Sequence, residues 1–320
     1  MIGLAILALM VLSLLISTLV EAWIYHYSGG LVAFLVLAGA GVAIHQEASR
    51  LWNSLVEPGD KFLWLSQGLA VILGGLAAYA LSHELGLGPV IAASLVGLLA
   101  SLIWPETSIA AYCGAFVGMT SDILFFNYWE VAVAGLIAGG VYIMTRDVFN
   151  GFGGKLGTIA LVGTALTCLS LNREFLILPV AGWEANALVM ATAMLATPLT
   201  FYFNIARKHG PVLASAIVGM TGGLILPALL PQFGPTLAVV AICASFSGMT
   251  SKDRCPKFWH ILVTGFFTGV VFVYSTPLLG GAGGKLGTIA FGAVLGTCGL
   301  KKWFGWLNGL RKSENQDHGS

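Results

Sequence analysis

Two identical eight-residue segments carry the residues best suited to chemistry in this chain. Gly153–Ala160 and Gly283–Ala290 both read GGKLGTIA, which places a lysine and a threonine among glycines. Glycine adopts backbone conformations that other residues resist, so a helix can break and restart at such a segment. The restarting helix directs free N–H groups and the positive end of its dipole at the break, and lysine adds a full charge. Each segment therefore predicts an anion-favouring site.

The candidate solute-binding residues are the glycines, lysine and threonine of the two segments: Gly153, Gly154, Lys155, Gly157, Thr158, Gly283, Gly284, Lys285, Gly287 and Thr288. The pattern resembles part of a phosphate-cradling loop, in which serine or threonine follows the lysine and a strand precedes the motif. Here leucine follows each lysine, and no strand is predicted, so we reject a nucleotide site. A glycine-rich turn whose lysine reaches the lipid headgroups is the alternative that stays open.

A second pair of segments, Gly118–Ser121 and Gly248–Ser251, reads GMTS. Their hydroxyls, with backbone carbonyls freed by the glycine, form an oxygen-only set that suits a hard cation such as sodium, or a polar solute. The alternative is a helix end at which the hydroxyls bond back to the preceding turn. The candidate residues for an ion or solute are Gly118, Thr120, Ser121, Gly248, Thr250 and Ser251.

The two pairs of segments belong to an internal repeat. Both recur after 130 residues, and single residues between and around them recur at the same spacing. These matches include Cys113 with Cys243, Phe116 with Phe246, Gly135 with Gly265, Gly139 with Gly269, and Cys168 with Cys298. An eight-residue identity flanked by matches in the same order indicates two copies of one structural unit.

The elements that must position these residues are apolar helices. Of the 320 residues, 57% are hydrophobic and only 9% are charged, whereas a soluble domain carries about 25% charged residues. Several apolar runs, such as Met1–Val20 and Trp259–Leu279, approach the ~20 residues that a helix needs to cross the hydrocarbon core. The composition predicts an all-α, polytopic integral membrane protein whose first partner is the lipid bilayer.

Charged residues, prolines and glycines divide the chain into about twelve apolar spans. They lie near 2–20, 30–45, 62–81, 88–104, 108–124, 130–145, 157–171, 185–205, 211–230, 235–250, 259–279 and 286–300. The first two spans, in residues 1–45, lie outside the repeat. Residues 62–171 (the first copy) and 185–300 (the second copy) hold five spans each, and residues 301–320 form a basic and polar tail. The spans opened by GGKLGT are short, which is typical of the interrupted half-helices of transporters.

The distribution of positive charge gives the orientation. Five crossings per copy require the second copy to enter the membrane from the opposite side. With a cytoplasmic N-terminus, all lysines and arginines but Arg173 and Lys285 fall on the cytoplasmic side, as the enrichment of these residues in cytoplasmic loops requires. We therefore predict an inverted-topology repeat in the inner or plasma membrane, with multiple passes and both termini cytoplasmic.

Little in the sequence supports an enzyme. The five cysteines form no CxxC or Cys/His pattern, and the six histidines form no metal-ligand pair. We predict no enzymatic activity, no metal site and no cofactor, and a net charge of +1 gives no indication of nucleic-acid binding. Asp122 is the best acidic candidate for a proton relay, with a solvated loop charge as the alternative.

These features predict an alternating-access secondary transporter that moves a small, anionic solute through a site between the two copies. Sodium ions and protons are the candidate coupling ions. A passive channel of the same architecture shares these features, and a non-transport membrane scaffold or assembly subunit would use the glycines only for packing, so both alternatives stay open. The GxxxG pairs let helix backbones approach closely, either within the chain or between the subunits of a homo-oligomer.

Overall fold

The computed structural model describes residues 1–53, 61–179 and 183–317, and in these ranges the chain is all helical. Because apolar runs long enough for several turns are separated by glycine, proline and charged residues, twelve α-helices form here. In order, they are α1 Ile2–Tyr25, α2 Tyr27–Trp52, α3 Lys61–His83, α4 Gly88–Ile103, α5 Ser108–Val117, α6 Tyr128–Met144, α7 Lys155–Ser170, α8 Trp183–Phe201 (continued by a π-helical turn, Tyr202–Ala206), α9 Pro211–Leu229, α10 Gly234–Gly248, α11 Phe258–Ser275 and α12 Lys285–Asp317.

The helices follow the predicted apolar spans in order, so the all-α prediction is confirmed for the described ranges. Six of the twelve are long and apolar enough to cross a membrane: α1, α2, α3, α8 with its π-helical turn, α9 and α11. The apolar helices α4, α5, α6, α7 and α10 are shorter, at 10–17 residues. This is compatible with a multi-pass membrane protein, and the number of full crossings stays a prediction.

Several element boundaries differ from the prediction: α1 ends at Tyr25 instead of 20, α2 covers Tyr27–Trp52 instead of 30–45, and α11 ends at Ser275 instead of 279. The span expected over 108–124 ends as a helix at Val117. The apolar residues that follow, such as Leu124, are buried although they are not helical. A boundary between a span at 286–300 and a tail at 301–320 was also expected. Instead α12 continues to Asp317, since this stretch contains no proline and is rich in residues that favour helix. Residues 318–320 of the predicted tail lie outside the described residues.

Two helices form the centre of the molecule. In α7 every residue from Gly157 to Thr164 is buried, and in α12 every residue from Gly287 to Leu300 is buried. A helix that is apolar and enclosed on all sides belongs to the interior. In the first copy, α3 contacts α5 and α6, and α6 contacts α7; in the second, α8 contacts α10 and α11, and α11 contacts α12. The central contacts between the copies are α7 with α12 and α4 with α9.

Candidate functional site

The first turns of α7 and α12 lie side by side and run in opposite directions. At three glycines of this crossing, an added β-carbon would lie 2.3–2.4 Å from a backbone atom of the other helix. The pairs are Gly157 with Gly287, Gly154 with Phe291, and Gly284 with Leu161. Only glycine permits two backbones to approach this closely. Both helices therefore begin inside the protein, at their mutual contact.

A glycine with a left-handed backbone conformation precedes each of these helices. Gly154 has φ 82° and Gly284 has φ 87°. An L-residue with a side chain resists this conformation, whereas glycine accepts it without a steric penalty. The repeated GGK sequence thus fixes the point at which the chain turns sharply and enters the helix.

Each GGKLGT segment is hydrogen bonded to the GMTS segment of the other copy. The Gly153 N–H donates to Thr250 Oγ1 and the Gly283 N–H donates to Thr120 Oγ1, both at 3.2 Å. Two backbone bonds of 2.9 Å lie beside them, from Ser251 N–H to Gly151 O and from Ser121 N–H to Gly281 O. The sequence indicated two separate kinds of site, and the structure joins them into two mixed clusters that we call the loop clasps.

The clasp threonines also satisfy the ends of the preceding helices. Thr120 Oγ1 donates to Val117 O at 2.6 Å, and Thr250 Oγ1 donates to Ser247 O at 2.7 Å. Both side chains are fully buried. The back-bonded helix end is therefore present, while ion binding at these hydroxyls stays a prediction. The GMTS glycines serve close packing, because a β-carbon on Gly118 would lie 2.3 Å from Gly75 O, and one on Gly248 would lie 2.4 Å from Thr197 O.

We expect Thr120→Val or Thr250→Val to lower the free energy of unfolding by about 1–3 kcal/mol, because the partner glycine N–H then stays buried without an acceptor. Thermal unfolding of the purified protein in detergent measures the change. Thr→Ser at the same positions is the matched control, since serine keeps the hydroxyl. Equal stability of the valine and serine variants would contradict the clasp.

Lys155 holds the end of the helix before it. Its ammonium donates to three backbone carbonyls at 2.7–3.4 Å, those of Thr145, Arg146 and Val148. A positive charge is favourable at the C-terminal end of a helix, where carbonyls lack partners. An ammonium group has three donors, so these carbonyls account for all of them.

Lys285 has the same position after α11 but a different set of bonds. Its ammonium donates to Thr276 O at 3.1 Å, and the side chain is only 9% exposed. Within the described ranges this is its one hydrogen bond, so two of its three donors can serve another acceptor. The two lysines thus differ in the number of donors that remain for a further acceptor.

Two cavities of similar size lie at opposite ends of α5 and α10. The Lys155 cavity has a volume of about 180 Å³, and the Lys285 cavity has a volume of about 200 Å³. The first is lined by Ile109, Gly151, Gly154, Lys155, Pro211 and Met249, among others. The second is lined by the residues 130 positions away from these, Val239, Gly281, Gly284, Lys285 and Met119, and by Pro89, which matches Pro211 at a spacing of 122 residues in the sequences GPV at 88–90 and 210–212. Ile109 is at the start of α5 and Met119 follows its end, whereas α10 has the reverse order.

A pair of aromatic rings, tilted by 46° to each other, belongs to the stretches of α5 and α10 between the two cavities. Phe116 of α5 and Phe246 of α10 have ring centroids 4.4 Å apart, and both side chains are buried. Along α5, Phe116 falls between the residues that line the two cavities, and Phe246 does so along α10. The sequence showed the two phenylalanines as repeat matches but gave no reason to assign them a role. We call them the phenylalanine pair.

The remaining predicted residues do not reach the cavities. Gly157, Thr158, Gly287 and Thr288 are buried at the helix crossing and line neither one. Thr288 Oγ1 donates to Gly284 O at 3.2 Å, whereas Thr158 Oγ1 has no hydrogen-bond partner in the described part of the chain. Asp122 is exposed beside Ser121, which agrees with a solvated loop charge.

No known protein family, no curated protein and no solved structure matches this chain. The site is therefore interpreted from its own geometry and chemistry.

Proposed function

We propose that this chain is a multi-pass membrane protein of two inverted repeats that transports a small solute by alternating access. The solute would bind in the Lys155 cavity from one side of the membrane and in the Lys285 cavity from the other. The observation that carries the proposal is the matched pair of cavities at opposite ends of α5 and α10, each bounded by a GGKLGT segment.

The length of the short helices supports the proposal. α5 has 10 residues, which corresponds to about 15 Å of helix, whereas the hydrocarbon core is about 30 Å thick. Two cavities at the ends of so short a helix approach each other from opposite sides, and only a thin barrier separates them. A small movement of one copy against the other would then transfer access from one cavity to the other.

The phenylalanine pair favours a transporter over a passive channel. A channel needs a path that is open to both sides at once, whereas the buried rings of Phe116 and Phe246 contact each other on the stretches of α5 and α10 between the two cavities. Lys285 favours either function over a scaffold, since it is buried with two unused ammonium donors and close helix packing does not require an ammonium group. In this proposal the loop clasps hold each half-helix against the other copy, so that both cavities respond to one rearrangement.

The chemistry of Lys285 supports a small anion as the solute. Its ammonium retains two donors beside an otherwise largely apolar cavity, and a buried charge is stabilised by an acceptor of opposite sign. The test is uptake of chloride, nitrate, acetate and phosphate by proteoliposomes, with and without sodium or proton gradients. Gradient-driven accumulation of one of them supports the transporter, and dissipative flux alone supports the channel. No flux of any anion contradicts this substrate class.

We expect the two lysines to respond differently to removal of their charge. Lys285→Met should weaken anion binding by roughly 5- to 150-fold, corresponding to about 1–3 kcal/mol for hydrogen bonds to a charged group. Lys155→Met should chiefly lower the melting temperature, because three carbonyls at the end of α6 lose their donor. Anion binding and thermal unfolding of the purified variants separate the two effects. Lys252→Met, an exposed lysine, is the control. Unchanged affinity in Lys285→Met would contradict an anionic solute while leaving transport of a neutral one.

A further inference from the structure

A third cavity lies outside the two proposed transport cavities, between α2, α12 and the loop that joins α10 to α11. Its volume is about 340 Å³, and we call it the basic cavity. Four cationic and two acidic side chains line it: Arg50, Arg254, Lys301, Lys302, Glu47 and Asp253. The only residue that it shares with the Lys155 cavity is Phe152. The lining therefore carries an excess of two positive charges.

The carboxylate of Glu47 organises the guanidinium groups of this cavity. Glu47 is only 3% exposed, and its Oε1 accepts hydrogen bonds of 2.6 Å from Arg50 Nη2 and from the Phe149 N–H. Arg254 Nη2 lies 3.8 Å from the other oxygen. A buried carboxylate needs such partners to offset the loss of hydration. Because the charge of Glu47 is offset by these partners, Glu47 positions the two arginines, and Asp253 is the second carboxylate of the lining.

Arg254 is further fixed by the first copy. Its Nε donates to Asn150 O at 3.0 Å, and its guanidinium carbon lies 4.3 Å from the ring centroid of Phe152. Asn150 and Phe152 belong to the loop that leads into the first GGKLGT segment. A rigid, planar guanidinium presents its remaining N–H donors in a fixed direction, which suits oxyanions.

The two lysines of α12 supply donors that the protein does not use. Lys301 Nζ donates one hydrogen bond of 2.8 Å, to Arg254 O, and so retains two donors. Lys302 makes no hydrogen bond or ion pair in the part of the chain that is described, and its side chain is exposed. Two donors of Lys301 and three of Lys302, five in all, are thus available at a cavity in which other contacts fix the arginines.

We infer that the basic cavity binds a phosphate group. Several cations with a net excess of positive charge suit a phosphate group, which carries one negative charge as a lipid diester and about −1.5 to −2 as a monoester, and arginine forks bind phosphate oxygens in pairs. Basic pockets between transmembrane helices bind the phosphates of lipid headgroups in the same way. The group can come from an anionic phospholipid or from a soluble phosphate.

The position of the cavity gives this site a regulatory role. α2 lies outside both copies, Lys301 and Lys302 belong to the second, and Arg254 contacts the loop before the first GGKLGT segment. A phosphate group held by all of them would favour the arrangement in which α2, α12 and that loop are together. This role is separate from solute binding, because the Lys155 and Lys285 ammonium groups line other cavities.

Thermal unfolding of the full-length protein tests the site in two arms. In detergent, inorganic phosphate is titrated against sodium chloride of equal ionic strength. In vesicles, phosphatidylcholine is compared with phosphatidylcholine containing phosphatidylglycerol. We expect the melting temperature to rise by several degrees in at least one arm, because a ligand that binds only the folded state stabilises it. A rise with phosphate identifies a soluble ligand, and a rise only with phosphatidylglycerol identifies a lipid headgroup.

Two variants and a matched control make the result specific. Lys302→Gln should weaken binding by at least about tenfold, as for the loss of a charged hydrogen bond, and its folding should be preserved because the side chain is exposed. Lys301→Gln should do the same with some loss of basal stability. Lys252→Gln removes an exposed positive charge outside the cavity and should respond like the native protein. Absence of any rise in both arms, or an equal rise in native protein and Lys302→Gln, would overturn the proposal.

Discussion

Leucine at Gly153 or Gly283 is expected to reduce transport to background. A β-carbon on Gly153 would lie 2.3 Å from Phe246 O, and one on Gly283 would lie 2.5 Å from Phe116 O. These atoms belong to the backbone of the other copy, so the loop has to move away. The hydrogen bond from the glycine N–H to the clasp threonine would then break, and the cavity beside the displaced loop would change its shape.

The measurement is solute flux in proteoliposomes, with the amount of inserted protein determined in parallel. Gly140→Leu is the control, because Gly140 is exposed on α6 and a β-carbon there meets no atom within 4 Å. We expect native flux from Gly140→Leu. Native flux from Gly153→Leu or Gly283→Leu would mean that the segment is an ordinary turn without a part in transport.

Alanine in place of Phe116 or Phe246 should convert the protein into a leak. Truncation of a buried phenylalanine leaves a cavity and costs about 3–5 kcal/mol of stability. Here the lost volume lies between the Lys155 and Lys285 cavities, so the variants should pass small ions down their gradient without coupling. The double variant should leak more than either single variant.

The leak is measured as dissipation of an ion gradient in proteoliposomes. Phe→Leu at the same positions retains most of the bulk and should leak little. Phe267→Ala is the second control, since Phe267 of α11 is buried but lies outside the segments between the cavities. A leak of equal size from Phe267→Ala would attribute the effect to a general loss of packing. If vesicles with Phe116→Ala or Phe246→Ala do not leak, the phenylalanine pair is not the barrier.

The sequence predicted the order and number of helices well because apolarity and glycine or proline boundaries are local properties. The prediction of helix ends is wrong where apolar residues are not helical or where helical residues are polar. Leu124 and Phe125 are apolar and buried, but they follow the end of α5 and are not helical. Conversely, the polar residues after Leu300 continue α12, since a helix does not need apolar side chains to extend.

The contacts of the candidate site could not be predicted. The clasp bonds join residues 97 and 163 positions apart in the chain, and no local pattern contains that information. The lysines illustrate a second limit. A buried ammonium can be satisfied by a solute, a headgroup or the carbonyls of a helix end, and these alternatives look the same in sequence. The repeat matches identified Phe116 and Phe246, but only the fold indicates what lies on either side of them.

The central claim is that the two cavities open to opposite sides of a membrane. Single cysteines at Asn150, in the Lys155 cavity, and Leu178, in the Lys285 cavity, test it in a background without native cysteines. Both positions are exposed, whereas the neighbouring Gly151 and Gly281 have φ values of 79° and 77° and would be strained by a side chain. A membrane-impermeant thiol reagent should label Asn150→Cys only from the cytoplasmic face and Leu178→Cys only from the opposite face. Labelling of both cysteines from the same face would contradict the inverted repeat and, with it, alternating access.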